Sequence, residues 1–160
     1  MGAPAASRVD EGARLIRAAP AAIYRAFLDP DAVAAWRPPT GMRAEIETFD
    51  PRPGGAYRMA FIHEGADHAA PGKTSEHADA FEGRFVELVP NARIVEAVRF
   101  SSDDPAFAGE MTITTTLTPV PGGTEVDVRC EDVPAGISPQ DHAAGIASSL
   151  ENLAAYVGRG

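Results

Sequence analysis

From Glu110 to Glu131 the side chains write out one long antiparallel hairpin, and this stretch narrows the fold more than any other. Met111, Ile113, Thr115 and Leu117 hold one phase of a two-residue period, while Thr112, Thr114, Thr116 and Thr118 hold the other. Successive side chains of a strand point to opposite faces, so one face is dry and the other wet. Threonine suits the wet face because β-branching fits extended backbone while the hydroxyl keeps its water. Pro121-Gly122-Gly123 supplies the turn, and on the return Thr124, Val126, Val128 and Cys130 oppose Glu125, Asp127, Arg129 and Glu131. A hairpin with one apolar face needs a second layer to cover it.

The cover lies downstream, where the period changes. Ser138 can cap a helix, Pro139 fits its first turn and Asp141 completes a capping-box spacing. Ala143, Ala147, Leu150, Ala154 and Val157 then form an apolar stripe, with Ile146 and Leu153 alongside. About twenty residues at 1.5 Å rise cross a sheet on the order of 30 Å wide.

Upstream, Arg8 to Arg17 reads as a strand anchored by Val9, Leu15 and Ile16, followed by two short helices. The first starts at Pro20 with Ile23, Tyr24, Phe27 and Leu28 on one side, and the second starts at Asp29-Pro30 and ends before Pro38-Pro39. Further strands are expected at Arg43 to Phe49, around Tyr57, Met59 and Phe61, from Phe81 to Val89 and from Arg93 to Phe100. Residues 63–79 have no apolar period and read as an exposed loop, with a lid as the alternative. The expected class is α+β: a curved six- or seven-stranded antiparallel sheet wrapped around a long C-terminal helix, with two short helices after the first strand.

A chain of 160 residues fits one domain, assigned to residues 8–158 behind a flexible N-terminus at 1–7. Its net charge of −9 argues against nucleic acid as a partner, since phosphate contacts call for a basic face, and there is no sign of membrane insertion. The N-terminal residues lack the basic start and apolar run of a secretory signal, so a cytoplasmic location is the default. Cys130 is the only cysteine, and its place in a strand pattern reads as packing. A homodimer is one assembly compatible with a domain of this kind.

Several segments in order resemble the START-like helix-grip (SRPBCC) superfamily, in the branch named for the C-terminal domain of the heat-shock-protein-90 ATPase activator. They are Ile16-Arg17-Ala18-Ala19-Pro20, Ile23-Tyr24-Arg25-Ala26-Phe27, Trp36-Arg37-Pro38-Pro39, Asp50 to Arg58, Phe81 to Pro90 with Arg93-Ile94-Val95, Leu117-Thr118-Pro119 with Gly122-Gly123-Thr124, and the final helix with His142, Gly145, Leu150 and Leu153-Ala154. The resemblance implies a helix-grip scaffold around an apolar cavity. Where close relatives carry a tryptophan and an aromatic pair, this chain has Ile146 and, in the strand, Glu96 and Val98.

The first functional reading is therefore a binding, carrying or sensing protein for a small hydrophobic molecule. A cyclase- or hydrolase-like enzyme and a chaperone-associated protein-interaction module are the alternatives. The dry-face residues Tyr57, Met59, Phe61, Phe85, Val98, Met111 and Ile113, faced by Ile146, Ser149 and Leu153 of the last helix, line the cavity or fill it. Trp36 reads first as a wedge closing one end and second as a stacking surface for the ligand.

Glu96 shares a phase with Ile94, Val98 and Phe100. Exposure at a strand end or bulge is the commoner outcome; if buried, it needs Arg58, Arg99 or a cationic ligand group as partner. His142 reads as a capping or surface residue, with ligand contact or proton transfer beside Asp141 or Glu76 as alternatives. Glu96 and His142 are the two catalytic candidates. His63, His68 and His77 offer donors for a metal but not at a spacing that fixes coordination, so neither metal nor cofactor is expected.

Overall fold

The computed structural model describes residues 8–63 and 78–158. Its elements run β1 (Val9–Ile16), α1 (Pro20–Leu28), α2 (Pro30–Trp36), β2 (Met42–Phe49), β3 (Ala56–His63), β4 (Ala78–Val89), β5 (Arg93–Phe100), β6 (Met111–Val120), β7 (Gly123–Glu131) and α3 (Pro139–Val157), with a short 3-10 turn at Pro105–Phe107. The seven strands form one antiparallel sheet in the order β1-β7-β6-β5-β4-β3-β2. Consecutive strands are neighbours except the first two, which lie at opposite edges. The chain must therefore cross the open side between them, and α1 and α2 are that crossing.

Both caps foreseen from the sequence form: Asp29 accepts from the Asp31 N–H at 2.9 Å, and Ser138 Oγ accepts from the Asp141 N–H at 3.2 Å. Trp36 ties the two short helices together. Its indole N–H donates to the Ala26 carbonyl at 2.9 Å, and its ring meets Phe27 edge-on at 4.7 Å.

The dry faces meet as expected. Leu150 and Leu153 of α3 are buried against Ile16, Tyr57, Met59, Phe85, Val98, Leu117 and Val126 of the sheet. Met111 and Cys130 form a second cluster with Val133 and Ile137, bridged to the first by half-buried Ile113 and Ile146. The helix approaches β1 closely because Gly12 has no side chain: a Cβ there would stand 2.5 Å from Ile146 Cγ2. Burial pushes the Cys130 thiol up to about 12, as befits a packing residue.

Three sequence expectations are corrected. Leu15 is 49% exposed, because β1 alternates and Ile16 takes the inward phase. Ala143 and Ala147 face solvent, and the buried side of α3 runs instead through Ile146, Ser149, Leu150 and Leu153. Alanine tolerates either side of a helix, so the stripe drawn through it was rotated from the true one. The strand before Phe81 begins at Ala78, with Asp79 buried, so pairing extends further into the expected loop.

Two β-bulges bend the sheet, between Ile46 and Thr48 and between Phe85 and Glu87. The second leaves Val86 without a cross-strand partner; following buried Phe85, Val86 takes the outward phase with Glu82 and Arg84 and is 48% exposed. That bulge adjoins the Phe85–Glu96 pair, at the centre of the inner face.

Candidate functional site

Glu96 is completely buried on β5, among apolar neighbours. Its Oε1 accepts from Arg37 Nη1 at 2.8 Å and from the Tyr57 hydroxyl at 2.8 Å. Its Oε2 has no partner among the described residues. Exposure, the commoner outcome expected, is thereby corrected, and the buried alternative holds with a different protein partner: Arg37 instead of Arg58 or Arg99. Those two arginines occupy the opposite phase of their strands and face outward, Arg58 to Glu82 at 3.1 Å and Arg99 toward Glu110 at 3.9 Å.

Each partner of Glu96 has a local cause. Tyr57 sits on β3 directly opposite Gly83 of β4, and its ring lies over that glycine on the way to β5. A Cβ on Gly83 would stand 2.4 Å from Tyr57 Cζ, so the missing side chain is what lets the phenol reach across. Arg37 is the residue after α2, and its side chain, 12% exposed, turns inward with its guanidinium 5.7 Å from the Tyr57 ring centre.

The segment bearing Arg37 is strapped onto α3. Ser149 Oγ donates to the Arg37 carbonyl at 2.7 Å, Asn152 Nδ2 donates to the Pro38 carbonyl at 3.0 Å, and Thr40 N donates to Ser148 Oγ at 2.9 Å. Burial is the largest single influence and favours the neutral guanidine, but the charge and hydrogen bond of Glu96, together with Tyr57, outweigh it and hold the Arg37 pKa above its ordinary value. Tyr57 is pushed well above its ordinary value, by burial first and the Glu96 charge next, and stays a neutral donor.

The remaining predicted lining residues sort clearly. Tyr57, Met59, Phe85, Val98, Met111 and Leu153 are buried, whereas Phe61, Ile113, Ile146 and Ser149 are half-buried. Phe61 meets Phe81 edge-on at 4.9 Å, and Phe85 does the same with Phe49 at 5.8 Å. Trp36 is buried in the core, in the wedge position. Two clefts open to solvent nearby. One of about 230 Å³ lies where Pro38, Pro39 and Thr40 meet Asn152 and Tyr156. The other, of about 590 Å³, crosses the sheet at Glu45, Ile46, Arg58, Met59, Ala80 and Ser101.

His142 does not pair with Asp141. Its Nδ1 lies 2.6 Å from Asp10 Oδ2, and Glu76 is outside the described residues. Asp10 is also held by Arg8, through Nε at 3.2 Å and Nη2 at 2.7 Å, and Arg8 Nη1 donates to the Ile137 carbonyl. The cluster clamps β1 to the start of α3. Asp10 and Cys130 are cross-strand partners, but a thiol with so high a pKa gives this histidine no nucleophile to activate.

Hydrogen bonds from Arg8 hold the Asp10 carboxyl below its ordinary 3.8 against the upward push of burial, with His142 adding to the effect. A lowered folded-state pKa gives stability that is complete above pH 3.8 and is lost as pH falls through the folded value. Asp10→Asn should therefore cost about 1.5–3 kcal/mol near neutral pH. Urea titrations across the acid range should show the gap to wild type closing below pH 3.8; a gap independent of pH would exclude the ionic clamp.

Of the metal candidates, His63 ends β3, while His68 and His77 lie outside the described residues. No group of three His, Cys, Asp or Glu side chains converges among the described residues. No helix among them is long and apolar enough to cross a membrane. Sequence reasoning missed Arg37 and Asp10, whose partners lie 59 and 132 residues away along the chain. The only local hint of Arg37 was a cation fixed between a wedge tryptophan and two prolines.

A Chromobacterium violaceum protein of known structure is 38% identical, with a TM-score of 0.82 over 93% of this chain and 96% of its own. A Rhizobium loti protein is 26% identical, with a TM-score of 0.72 over 94% and 96%. The AHSA1-like protein of Aeromonas hydrophila, 19% identical with a TM-score of 0.70 over 95% and 93%, shares the fold. A search of functionally curated proteins finds no match. The family model described as activator of Hsp90 ATPase homolog 1-like protein matches residues 17–158, nearly the whole helix-grip domain, and the chain belongs to that family.

Proposed function

We propose that this protein binds a small, largely apolar molecule between α3 and the inner face of the sheet, beside Glu96. The observation that carries this reading is the completely buried Glu96 carboxylate with one oxygen unpartnered among the described residues. A buried ion pair is a poor device for stability, since well-packed apolar residues of similar volume do as well or better. An incompletely satisfied one is poorer still. Its place at the centre of an apolar face is the arrangement of a binding site, where a few polar groups orient a mostly greasy ligand.

The route to the site is the strap of residues 37–40. It is held to α3 by polar contacts around Ser149, Asn152 and Thr40 and is flanked by the smaller cleft. Release of those few bonds swings Arg37 away from Glu96 without disturbing the sheet. Carriage, sequestration and sensing all share this binding step.

Native mass spectrometry of freshly purified protein, followed by solvent extraction, tests the reading. A stoichiometric adduct that is extractable, and reduced in Glu96→Gln protein, is the expected result. Protein that emerges empty from several expression hosts, and takes up no apolar probe, would overturn it.

A further inference from the structure

The two protein donors at Glu96 converge on a single oxygen. Arg37 carries a fork of N–H groups that could span a carboxylate and satisfy both of its oxygens at once. It donates through Nη1 to Oε1, and Tyr57 adds its hydroxyl to that same atom. Oε2 is left fully enclosed and unpartnered among the described residues. A carboxylate oxygen can only accept, so the group that completes this site must donate.

We infer that the interior site takes a neutral, mostly apolar molecule that presents one hydroxyl or N–H donor to Glu96 Oε2. The inference rests on the interior binding proposed above and names the class of ligand. Neutrality follows from the charges already present: Arg37 and Glu96 cancel, and both are withdrawn from water. An anionic head would meet the Glu96 carboxylate across a short, weakly screened distance, and a cationic head would bury a second positive charge without a counter-charge. The body of the ligand must be apolar because the surroundings of Glu96 on the inner face are Tyr57, Phe85, Ile94, Val98 and Ile113.

Polar selectivity of this kind is sharp. A site built to receive a donor rejects an analogue lacking it, because the buried acceptor is then left unpaired. The ligand's donor is therefore the specificity element, and its apolar body supplies most of the affinity.

Three probes with one apolar body test this: 4-propylphenol, 4-propylanisole and 4-propylbenzoate, titrated against the full chain by calorimetry and by amide NMR. In the wild-type protein the phenol should bind about tenfold or more tightly than its methyl ether, with the benzoate weakest. Glu96→Gln, which sets an amide N–H where the free oxygen stood, should lose most of that discrimination. Equal binding of phenol and anisole by the wild type would overturn the donor inference while interior binding stands. Phenol saturation with only a water on Oε2 would do the same. If none of the three probes shifts the amides of α3 or the Trp36 indole, both the inference and the proposed binding site fail. The wild-type comparison decides the matter even if a variant does not fold.

Discussion

Replacing Arg37 with methionine should lower the unfolding free energy by about 3–5 kcal/mol near neutral pH, the usual cost of stranding one member of a buried ion pair. Methionine keeps much of the side chain's length and apolar stem, so the loss reports the missing charge and hydrogen bond. Glu96 would retain only the Tyr57 hydroxyl, in a site with no access to water. Urea denaturation of the single variant, of Glu96→Gln and of the double variant closes a cycle. The double variant should recover more than half of the loss, because a neutral amide tolerates that environment and still accepts from Tyr57. Additive losses, or a single-variant cost below about 1 kcal/mol, would mean that Arg37 and Glu96 do not interact in solution as they do in the structure.

The second large effect belongs to the helix that covers the sheet. Leu153→Ala should cost about 2–5 kcal/mol, because the side chain is wholly buried and its removal leaves a void that a sheet on one side and two helices on the other cannot collapse to fill. For a domain of this size the melting temperature should fall by on the order of 10 °C. Leu15→Ala is the matched control: the same atoms are removed from a side chain 49% exposed on the edge strand β1, and the change should stay within about 0.5 kcal/mol. Similar losses at both positions would contradict the inward direction of Leu153 and with it the gripping role of α3.

The contrast between these two leucines shows how far local pattern reaches. The β6–β7 hairpin was legible residue by residue, because turn chemistry and strict alternation both act over a few neighbours. The caps at Asp29 and Ser138 were legible for the same reason. At β1 and α3 the pattern was ambiguous. Leu15 and Ile16 are adjacent and equally apolar, and the alanines of α3 fit either side of the helix, so only contact with the sheet selected Ile16, Leu150 and Leu153 for the inside.

The candidate site divides along the same line. By phase alone, Tyr57, Met59, Phe85, Val98 and Met111 belonged to the dry face, and they are buried there. The phase of Glu96 was also correct, yet charge argued for exposure, because a carboxylate enters a core only when something distant compensates it. That compensation comes from Arg37 at the end of α2 and from Tyr57 passing over Gly83, and neither is a neighbour in sequence. His142 was placed correctly at the start of α3, but its partner Asp10 is at the opposite end of the chain.

The sequence by itself determined the class of fold, the wet and dry sides of the strands and the helix ends, since these follow from backbone sterics and from which side chains shun water within a short span. Only the tertiary structure decided which charged groups meet inside. Ion pairing in a core depends on distances between segments that the chain brings together from far apart, and no local periodicity encodes those distances.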